Sequence, residues 1–354
     1  MTSISEIGMS AEKMKWLKLQ RNLNVIFYLK SNLNQCSQKP KTQGEMALLS
    51  RQEAQMFLRR LGLTETEANS RTVHTLTRIV QAMQMNVPFQ SISMMATPAG
   101  YRHVPTLDEV VAAGLSMEGG VCYTLNTFCC ILLKALGYRA FVLDGSYNSS
   151  GVRRSDHVVV LVRNVRYEGD AHIVDVGTGY PFFQPIALDE LPVTFRQAGL
   201  EYMYKREGRI VYRMHRVGGD QSYGEKNGMH SEWRQVFHFR LDPVDYDFFR
   251  KHMENIYVNP QSLFLNSIRA VRFPNAPIED GTGEYPSATW GLGMTTKFQY
   301  LLAVKDQTLM VGPMDNLRMV HLEKHDWARH IKENFPTIPP AKVDAALRLM
   351  FNKI

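Results

Sequence analysis

Residues 117–126 bring a cysteine to the start of a helix directly after two glycines. Gly119 and Gly120 let the backbone turn tightly, and Cys122 follows at the beginning of an apolar run. The first N–H groups of a helix are unpaired and partly positive, which favours a thiolate over a thiol. The same groups could stabilise an oxyanion, so the pattern predicts a cysteine nucleophile that attacks a carbonyl. The alternative is a small core residue beside a tight turn.

A nucleophilic cysteine needs a base and a group that orients the base, and a predicted hairpin offers both. His157 opens one β-rich run and Asp175 lies near the end of the next, with a turn around Arg166 between them. In a hairpin centred on Arg166 the two side chains stand roughly opposite each other, about 5 Å apart at Cβ. A register shift of one residue would put them on opposite faces. Taken singly, His157 is typical of a strand end and Asp175 of a turn.

The elements that must position these residues follow from hydrophobic periodicity. Helices are predicted from the capping box of Ser50 and Glu53 to a stop at Gly62, over 64–86, and over 123–136. The β-rich runs are 140–143, 158–162, 173–176, 210–212, 236–241, 267–273, 298–304 and 309–311, and the later helices are 246–257 and 341–351. Helices, then strands, then a mixed region predict an α+β fold with more than one lobe.

Composition and charge exclude several classes of protein. The 354 residues are 44% hydrophobic and 21% charged, which is ordinary for a globular chain. No run approaches the roughly 18 consecutive apolar residues of a membrane-spanning helix, so we expect no membrane partner. The net charge is +7, and residues 1–46 hold seven Lys/Arg against three Glu, so the remainder is close to balanced. This distribution argues against a basic face for nucleic acid.

The four cysteines indicate neither a disulfide scaffold nor a metal site. Cys129 and Cys130 are adjacent inside an apolar run, and no CxxC pair occurs anywhere in the sequence. We therefore expect no bound metal. Free thiols favour a reducing compartment, which predicts a cytoplasmic protein.

Residues 1–46 are predicted to be a basic extension and a polar linker. The basic stretch from Lys13 to Arg21 precedes an apolar stretch, 25–29, that is too short for the core of a secretory signal. The polar run 31–44 is typical of a linker. An organelle-targeting segment is the alternative.

Taken together, these segments resemble the arylamine N-acetyltransferase family. The resemblance rests on GGVCYTLN at 119–126, the strand that opens with His157, and IVDVGTG at 173–179. Supporting segments in the same order are VPFQS at 87–91, PFFQPIAL at 181–188, VFHFRL at 236–241 and NPQSLF at 259–264. The resemblance covers about the last 300 residues and is strongest over 86–188.

The resemblance implies a three-domain architecture after the extension, with a catalytic core like that of cysteine proteases. A helical domain, 47–138, would carry the nucleophile. A β-barrel-like domain, 139–241, would carry the histidine and the aspartate. An α/β lid, 242–354, would complete the chain.

The chemistry that the resemblance implies is ping-pong acyl transfer in xenobiotic metabolism. Cys122 would take an acetyl group from acetyl-CoA as a thioester, His157 would be the base, and Asp175 would fix the imidazole. The acceptor would be an arylamine, an arylhydrazine or an N-hydroxyarylamine. We expect a monomer.

The resemblance also implies contacts with both substrates. Phe89 would line the acceptor pocket, with ordinary core packing as the alternative. Arg153 and Arg154 would approach the phosphate oxygens of CoA, unless they belong to a solvated loop. Ser262 would contact CoA from the third domain.

Three positions depart from the family pattern. Glu118 stands where the family has an arginine, Gln90-Ser91 replaces Glu-Asn, and Thr178 replaces a common aromatic residue. Because like charges raise the pKa of a thiol, Glu118 would disfavour a thiolate if it faced the sulfur.

Two other functions stay open on the sequence. Transglutaminase-like and papain-like cysteine hydrolases use Cys, His and Asp or Asn in the same chain order. A catalytically weak relative that binds CoA or another small molecule is the second alternative, motivated by the three departures. Formation of an acetyl thioester on Cys122 from acetyl-CoA would separate the acyltransferase from the hydrolase, and tight CoA binding without acyl transfer would favour the binding protein.

Overall fold

The computed structural model describes most of the chain after residue 47. The described residues are 48–147, 155–219, 232–274, 288–290, 294–296 and 300–351, with the backbone alone in the two three-residue segments. The predicted extension over 1–46 lies outside these residues, and so do Arg153 and Arg154.

The first described region is helical. Its helices are α1 (Arg51–Arg60), α2 (Glu65–Asn69), α3 (Val73–Asn86), α4 (Ile92–Met95), α5 (Leu107–Leu115) and α6 (Cys122–Ala135). The predicted capping box is present, because Ser50 Oγ accepts the Glu53 N–H at 3.2 Å and the Glu53 carboxylate accepts the Ser50 N–H at 2.9 Å. The prediction of this first helix is confirmed.

The prediction of one helix over 64–86 is wrong, because α2 and α3 are separate. Ser70 ends α2 in an extended conformation with ψ of 153°. Thr72 then caps α3 by accepting the Thr75 N–H at 3.1 Å. An extended residue and one side-chain cap therefore divide an apolar pattern that periodicity alone predicts to be continuous.

Helix α5 was not predicted, although its sequence carries a signal. Thr106 and Glu109 form a capping box of the same kind as Ser50 and Glu53. Val110, Val111 and Gly114 form the buried side of this short helix.

The middle of the chain forms an antiparallel half-barrel of eight strands. They are β2 (Arg139–Ser146), β3 (His157–Arg163), β4 (Ala171–Val174), β5 (Ile186–Ala187), β6 (Val193–Gln197), β7 (Leu200–Glu207), β8 (Ile210–Arg216) and β9 (Trp233–Val244). Their spatial order is β5-β4-β3-β2-β9-β8-β7-β6. Helix α6 packs against β2 and β3. Strands β6 and β7 were not predicted.

The β3–β4 hairpin forms as predicted, but its register differs by two residues. Val160 pairs with Val174, so Asp175 falls opposite Val159 rather than opposite His157. A shift of two residues preserves the face on which each side chain lies. His157 and Asp175 are consequently diagonal neighbours on one face, which is within reach of their side chains.

In the described residues after 244, a second sheet is combined with several helices. The sheet takes β1 (Phe89–Gln90) from the helical region, and its other strands are β10 (Arg269–Arg272), β13 (Leu301–Lys305), β14 (Thr308–Gly312) and β15 (Arg318–His321). Their spatial order is β1-β10-β13-β14-β15. The helices are α7 (Arg250–Tyr257), α8 (Leu263–Asn266), α9 (Trp327–Asn334) and α10 (Pro340–Phe351), and β11 (Ala288–Trp290) pairs with β12 (Met294–Thr296).

The mixed helix-and-sheet class is therefore confirmed, whereas the division into domains at 138 and 241 stays a prediction. The pairing of β1 with β10 nevertheless joins residues that lie on either side of both boundaries, because Phe89 pairs with Val271 and Gln90 with Ala270. Strand β15 and helix α9 were not predicted.

Candidate functional site

The turn before α6 places Cys122 beside β1. Gly119 has a φ of +80°, and a Cβ atom there would lie 1.9 Å from the Pro88 carbonyl oxygen, so only glycine fits. The Gln90 N–H donates to the Gly120 carbonyl at 3.0 Å. Val121 is extended, with a ψ of −179°, and the helix begins at the next residue, Cys122.

The start of α6 leaves two backbone donors next to the thiol. Thr124 and Leu125 donate to the Val121 carbonyl at 2.9 and 3.0 Å. No described residue accepts the N–H of Cys122 or Tyr123, and Val121 has no side chain that can cap the helix. These two N–H groups are placed where a carbonyl oxygen attacked by the thiol could be stabilised.

Cys122 differs from the two cysteines further along its helix. Its Sγ donates a weak hydrogen bond to the Asp156 carbonyl at 3.8 Å, and 7% of the residue is exposed. Cys129 and Cys130 are buried in the core, where burial raises the pKa of Cys129 and raises that of Cys130 to about 11. Those two thiols are consequently held neutral and away from solvent.

His157 and Asp175 form a buried pair. Nε2 of His157 lies 2.7 Å from Oδ2 of Asp175, and neither side chain has exposed surface. Burial by itself lowers the pKa of His157, but the Asp175 charge and hydrogen bond, with a contribution from Cys122, raise that pKa to about 10. The contact with Asp175 therefore favours the protonated imidazole. A neighbouring imidazolium favours the thiolate form of a cysteine.

Two aromatic rings restrict the imidazole further. The ring centroid of His157 lies 4.8 Å from that of Phe237 and 4.9 Å from that of Tyr147. Nδ1, the second ring nitrogen of His157, has no hydrogen-bond partner among the described residues. The ring is thus held by packing and by Asp175, with one nitrogen left for a reacting group.

Asn126 holds Asp175 in place, a role that the sequence analysis did not assign. Its Nδ2 donates to Asp175 Oδ1 at 2.8 Å and to the Val158 carbonyl at 2.6 Å. Its Oδ1 accepts the N–H groups of Val176 at 2.9 Å and Gly177 at 3.1 Å. The available signal was its spacing, because a residue four positions after Cys122 lies on the same face of the helix.

Cys122 and His157 line one cavity of about 730 Å³, and Phe89 lies in its wall. Phe89 packs edge-to-face against Phe264, with 6.0 Å between the ring centroids. The cavity is lined mainly by apolar and aromatic side chains, which suits an aromatic ligand. The structure therefore brings the predicted acceptor contact and the predicted nucleophile to the same space.

The departure at Thr178 also lies in this wall. The Tyr147 hydroxyl donates to the Thr178 carbonyl at 3.0 Å and lies 3.1 Å from its hydroxyl. Both residues line the cavity. Tyr147, which follows strand β2, thus brings an aromatic ring to the cavity wall beside Thr178.

Ser262 lies next to the cavity but does not line it. The residue is 6% exposed, and its Oγ has no hydrogen-bond partner among the described residues. Its neighbours Leu263 and Phe264 are part of the cavity wall. A role for Ser262 toward CoA stays a prediction.

Glu118, the departure beside the two glycines, is engaged by groups other than the thiol. Its Oε1 accepts the Ser93 hydroxyl at 2.5 Å and also the Lys342 ammonium. Gln90 Nε2 donates to the Ser93 Oγ at 2.7 Å and to the Glu118 carbonyl at 3.3 Å. The departures at 90 and 118 therefore belong to one hydrogen-bond network, which lies at the turn before Cys122.

Two further features bear on partners. No cluster of three or more His, Cys, Asp or Glu suited to a metal ion occurs in the described part of the chain. None of the helices described above is both long and apolar enough to cross a bilayer.

Fold and site together define a class of enzyme: a mixed α and β protein in which a helix-start cysteine and a histidine–aspartate pair share one cavity. The sequence profile of the N-acetyltransferase family matches residues 72–276, which is more than half of the chain. Arylamine N-acetyltransferase 1 of Rattus norvegicus is 24% identical over 229 residues, which are 61% of this chain and 76% of that protein.

Solved structures show the same fold. The arylamine N-acetyltransferase of Mycobacterium abscessus has a TM-score of 0.64 at 18% identity, over 88% of this chain and 99% of that one. The Mycobacterium marinum arylamine N-acetyltransferase in complex with CoA has a TM-score of 0.60 at 18% identity, over 82% and 97% of the two chains. The chain belongs to the arylamine N-acetyltransferase family. The predictions of the family and of an acetyltransferase enzyme are confirmed.

Proposed function

We propose that this chain transfers an acetyl group from acetyl-CoA to an arylamine, an arylhydrazine or an N-hydroxyarylamine through a thioester on Cys122. The observation that carries the proposal is the buried His157–Asp175 pair, 2.7 Å apart, with His157 on the cavity that Cys122 lines. The names of the relatives support the acceptor class, and the neighbour with bound CoA supports the donor.

In the first half-reaction the Cys122 thiolate forms a bond from its sulfur to the acetyl carbon. The carbonyl oxygen becomes an oxyanion beside the N–H groups of Cys122 and Tyr123. Collapse of this intermediate breaks the bond to the CoA sulfur, and that sulfur takes the proton of the His157 imidazolium. The products are free CoA, acetylated Cys122 and a neutral imidazole.

In the second half-reaction the amine nitrogen of the acceptor attacks the thioester carbon. Neutral His157 takes a proton from the nitrogen, and the carbon–sulfur bond to Cys122 breaks. The amide leaves, and the thiolate and imidazolium are restored. Asp175 stabilises the imidazolium in both halves, and Asn126 orients Asp175.

The positions of Phe89 and Ser262 support two of the proposed substrate contacts. Phe89 would pack against the aromatic ring of the acceptor, because it lines the cavity beside Phe264. Ser262 would meet CoA through its hydroxyl, which has no hydrogen-bond partner within the described part of the chain. Arg153 and Arg154 would bind CoA phosphate oxygens.

The test is intact-protein mass spectrometry after brief incubation with acetyl-CoA, before and after addition of an arylamine. We expect the wild-type chain to gain one acetyl group and to lose it to the amine. Cys122→Ala should gain none, whereas Cys130→Ala, which removes a buried thiol of the same helix, should behave as wild type.

Two results would contradict the proposal. An unmodified wild-type chain whose Cys122 can still be alkylated would indicate a different donor or a binding protein. An acetyl group that is lost to water equally fast with and without the amine would indicate a hydrolase.

A further inference from the structure

An ion pair joins the C-terminal helix to the turn that carries the nucleophile. The Lys342 ammonium, in the first turn of α10, donates to Oε1 of Glu118 across a sequence separation of 224 residues. The Glu118 side chain is 11% exposed and the Lys342 side chain 43%. Glu118 directly precedes Gly119 and Gly120, so its position bears on the start of α6.

The carboxylate of Glu118 is tied to the cavity wall as well. Ser93 donates to the same oxygen that accepts Lys342, and Gln90 donates to Ser93. The Ser93 N–H in turn donates to Gln90 Oε1 at 2.9 Å. Gln90 is 1% exposed and follows Phe89 of the cavity wall. The network therefore runs from α10 through Glu118 to β1.

A carboxylate that is largely buried is costly unless a cation pairs with it. Ser93 supplies a hydroxyl and Gln90 contacts the Glu118 backbone, so neither supplies charge. Among the described contacts of Glu118, the positive charge comes from Lys342. Without it, Glu118 is expected to shift toward solvent, and the glycine turn that is packed against Pro88 would shift with it.

We propose that the Lys342–Glu118 ion pair is a positioning contact through which α10 holds the start of α6, and with it the Cys122 thiol and the adjacent N–H groups. Lys342 touches no reacting atom and does not line the cavity. Its effect on turnover rests on the proposed acetyl transfer, whereas its effect on the thiol does not.

A second ion pair of α10 provides a matched control. Lys332 of α9 lies 2.6 Å from Asp344, and both side chains are about as exposed as that of Lys342, at 34% and 41%. This pair joins α9 to α10 and does not reach the turn before Cys122. Loss of either lysine removes one charge and one ion pair from the same helical region.

The experiment compares Lys342→Met with Lys332→Met. The readouts are the rate constant for alkylation of Cys122 by iodoacetamide, kcat and KM for acetyl-CoA, and the thermal midpoint. We expect Lys342→Met to lower the alkylation rate and kcat by about tenfold, because small misplacements of a reacting group are costly, and to leave KM nearly unchanged. Lys332→Met should lower neither rate.

If Lys342→Met does not fold, the charge-reversed double variant Glu118→Lys with Lys342→Glu tests whether the ion pair positions the start of α6. Recovery of the alkylation rate in the double variant, relative to Glu118→Lys alone, would support the proposal. A folded double variant without recovery would overturn it. So would a wild-type alkylation rate in Lys342→Met.

The alkylation rate separates this inference from the proposed function. If the wild-type chain forms no acetyl thioester, the proposed transfer fails, yet the rate at which Cys122 is alkylated still reports whether Lys342 positions the thiol.

Discussion

The two ends of the β3–β4 hairpin both carry close ion pairs, but their environments are opposite. At the open end His157 and Asp175 are 2.7 Å apart with no exposed surface. At the turn end Arg166 lies 2.6 Å from both Asp189 and Glu190, whose side chains are 46% and 59% exposed. Distance alone does not distinguish the two ends.

The two ends differ in how far their ion pairs are exposed to solvent. Exposed ion pairs are screened and contribute about 0–1 kcal/mol to stability. At the buried open end, the ion pair with Asp175 raises the pKa of His157 to about 10. Asp170, the buried carboxylate at the turn end, accepts the N–H groups of Val165 and Arg166 at 2.7 and 2.9 Å and so shapes the loop. One end controls protonation, whereas the other controls the shape of the turn.

Substitution of Asp175 removes the ion pair at the open end of the hairpin and should have the largest effect. In Asp175→Asn the charge that keeps His157 protonated is lost, so the pKa of His157 should fall and the thiolate should be disfavoured. We expect kcat to fall by about 10²- to 10⁴-fold, with a smaller change in KM for acetyl-CoA. Steady-state kinetics and the pH dependence of Cys122 alkylation measure both effects.

The matched control is Asp189→Asn, which makes the same change at the turn end of the hairpin. It should leave the kinetics and the alkylation of Cys122 as in the wild type. Normal turnover in Asp175→Asn would reduce Asp175 to a structural residue of the turn.

The free energy of unfolding should depend on pH through His157 at the open end of the hairpin. The pKa of His157 is raised from an ordinary 6.5 to about 10 in the folded chain. Its contribution to stability is therefore complete below pH 6.5 and is lost as the pH rises through about 10. The free energy of unfolding should fall across this window more steeply in the wild type than in His157→Gln, as measured by urea titration at several pH values. Equal slopes in the two proteins would show that folding does not raise the pKa of His157.

Substitution of Arg166 removes the exposed ion pairs at the turn end of the hairpin and should have the smallest effect. Arg166→Met removes contacts with three carboxylates, but Asp170 keeps its two backbone hydrogen bonds. We expect a loss of stability of no more than about 1 kcal/mol and unchanged acetyl transfer. A larger loss, or a change in kcat, would mean that the two ends of the hairpin are coupled.

The hairpin also illustrates how far sequence reasoning reached. Alternation placed His157 and Asp175 on one face, which is correct, because the register error of two residues preserved the face. The centre of the turn was misjudged, since the bonds of Asp170 to the loop backbone set it and no periodicity reports them. Helix α5 was within reach, because Thr106 and Glu109 repeat the capping signal that predicted α1.

Local spacing in the sequence determined the cysteine at a helix start, since two glycines permit the tight turn that precedes the apolar run. It also determined the strand faces of the histidine and the aspartate, because side chains alternate along a strand. Tertiary structure decided which distant groups complete the site. The hydrogen bonds concerned are those from Asn126 to Asp175, from Tyr147 to Thr178 and from Lys342 to Glu118. These contacts join residues far apart in the chain, and their partners are chosen by the packing of α6, β2 and α10 rather than by any local pattern.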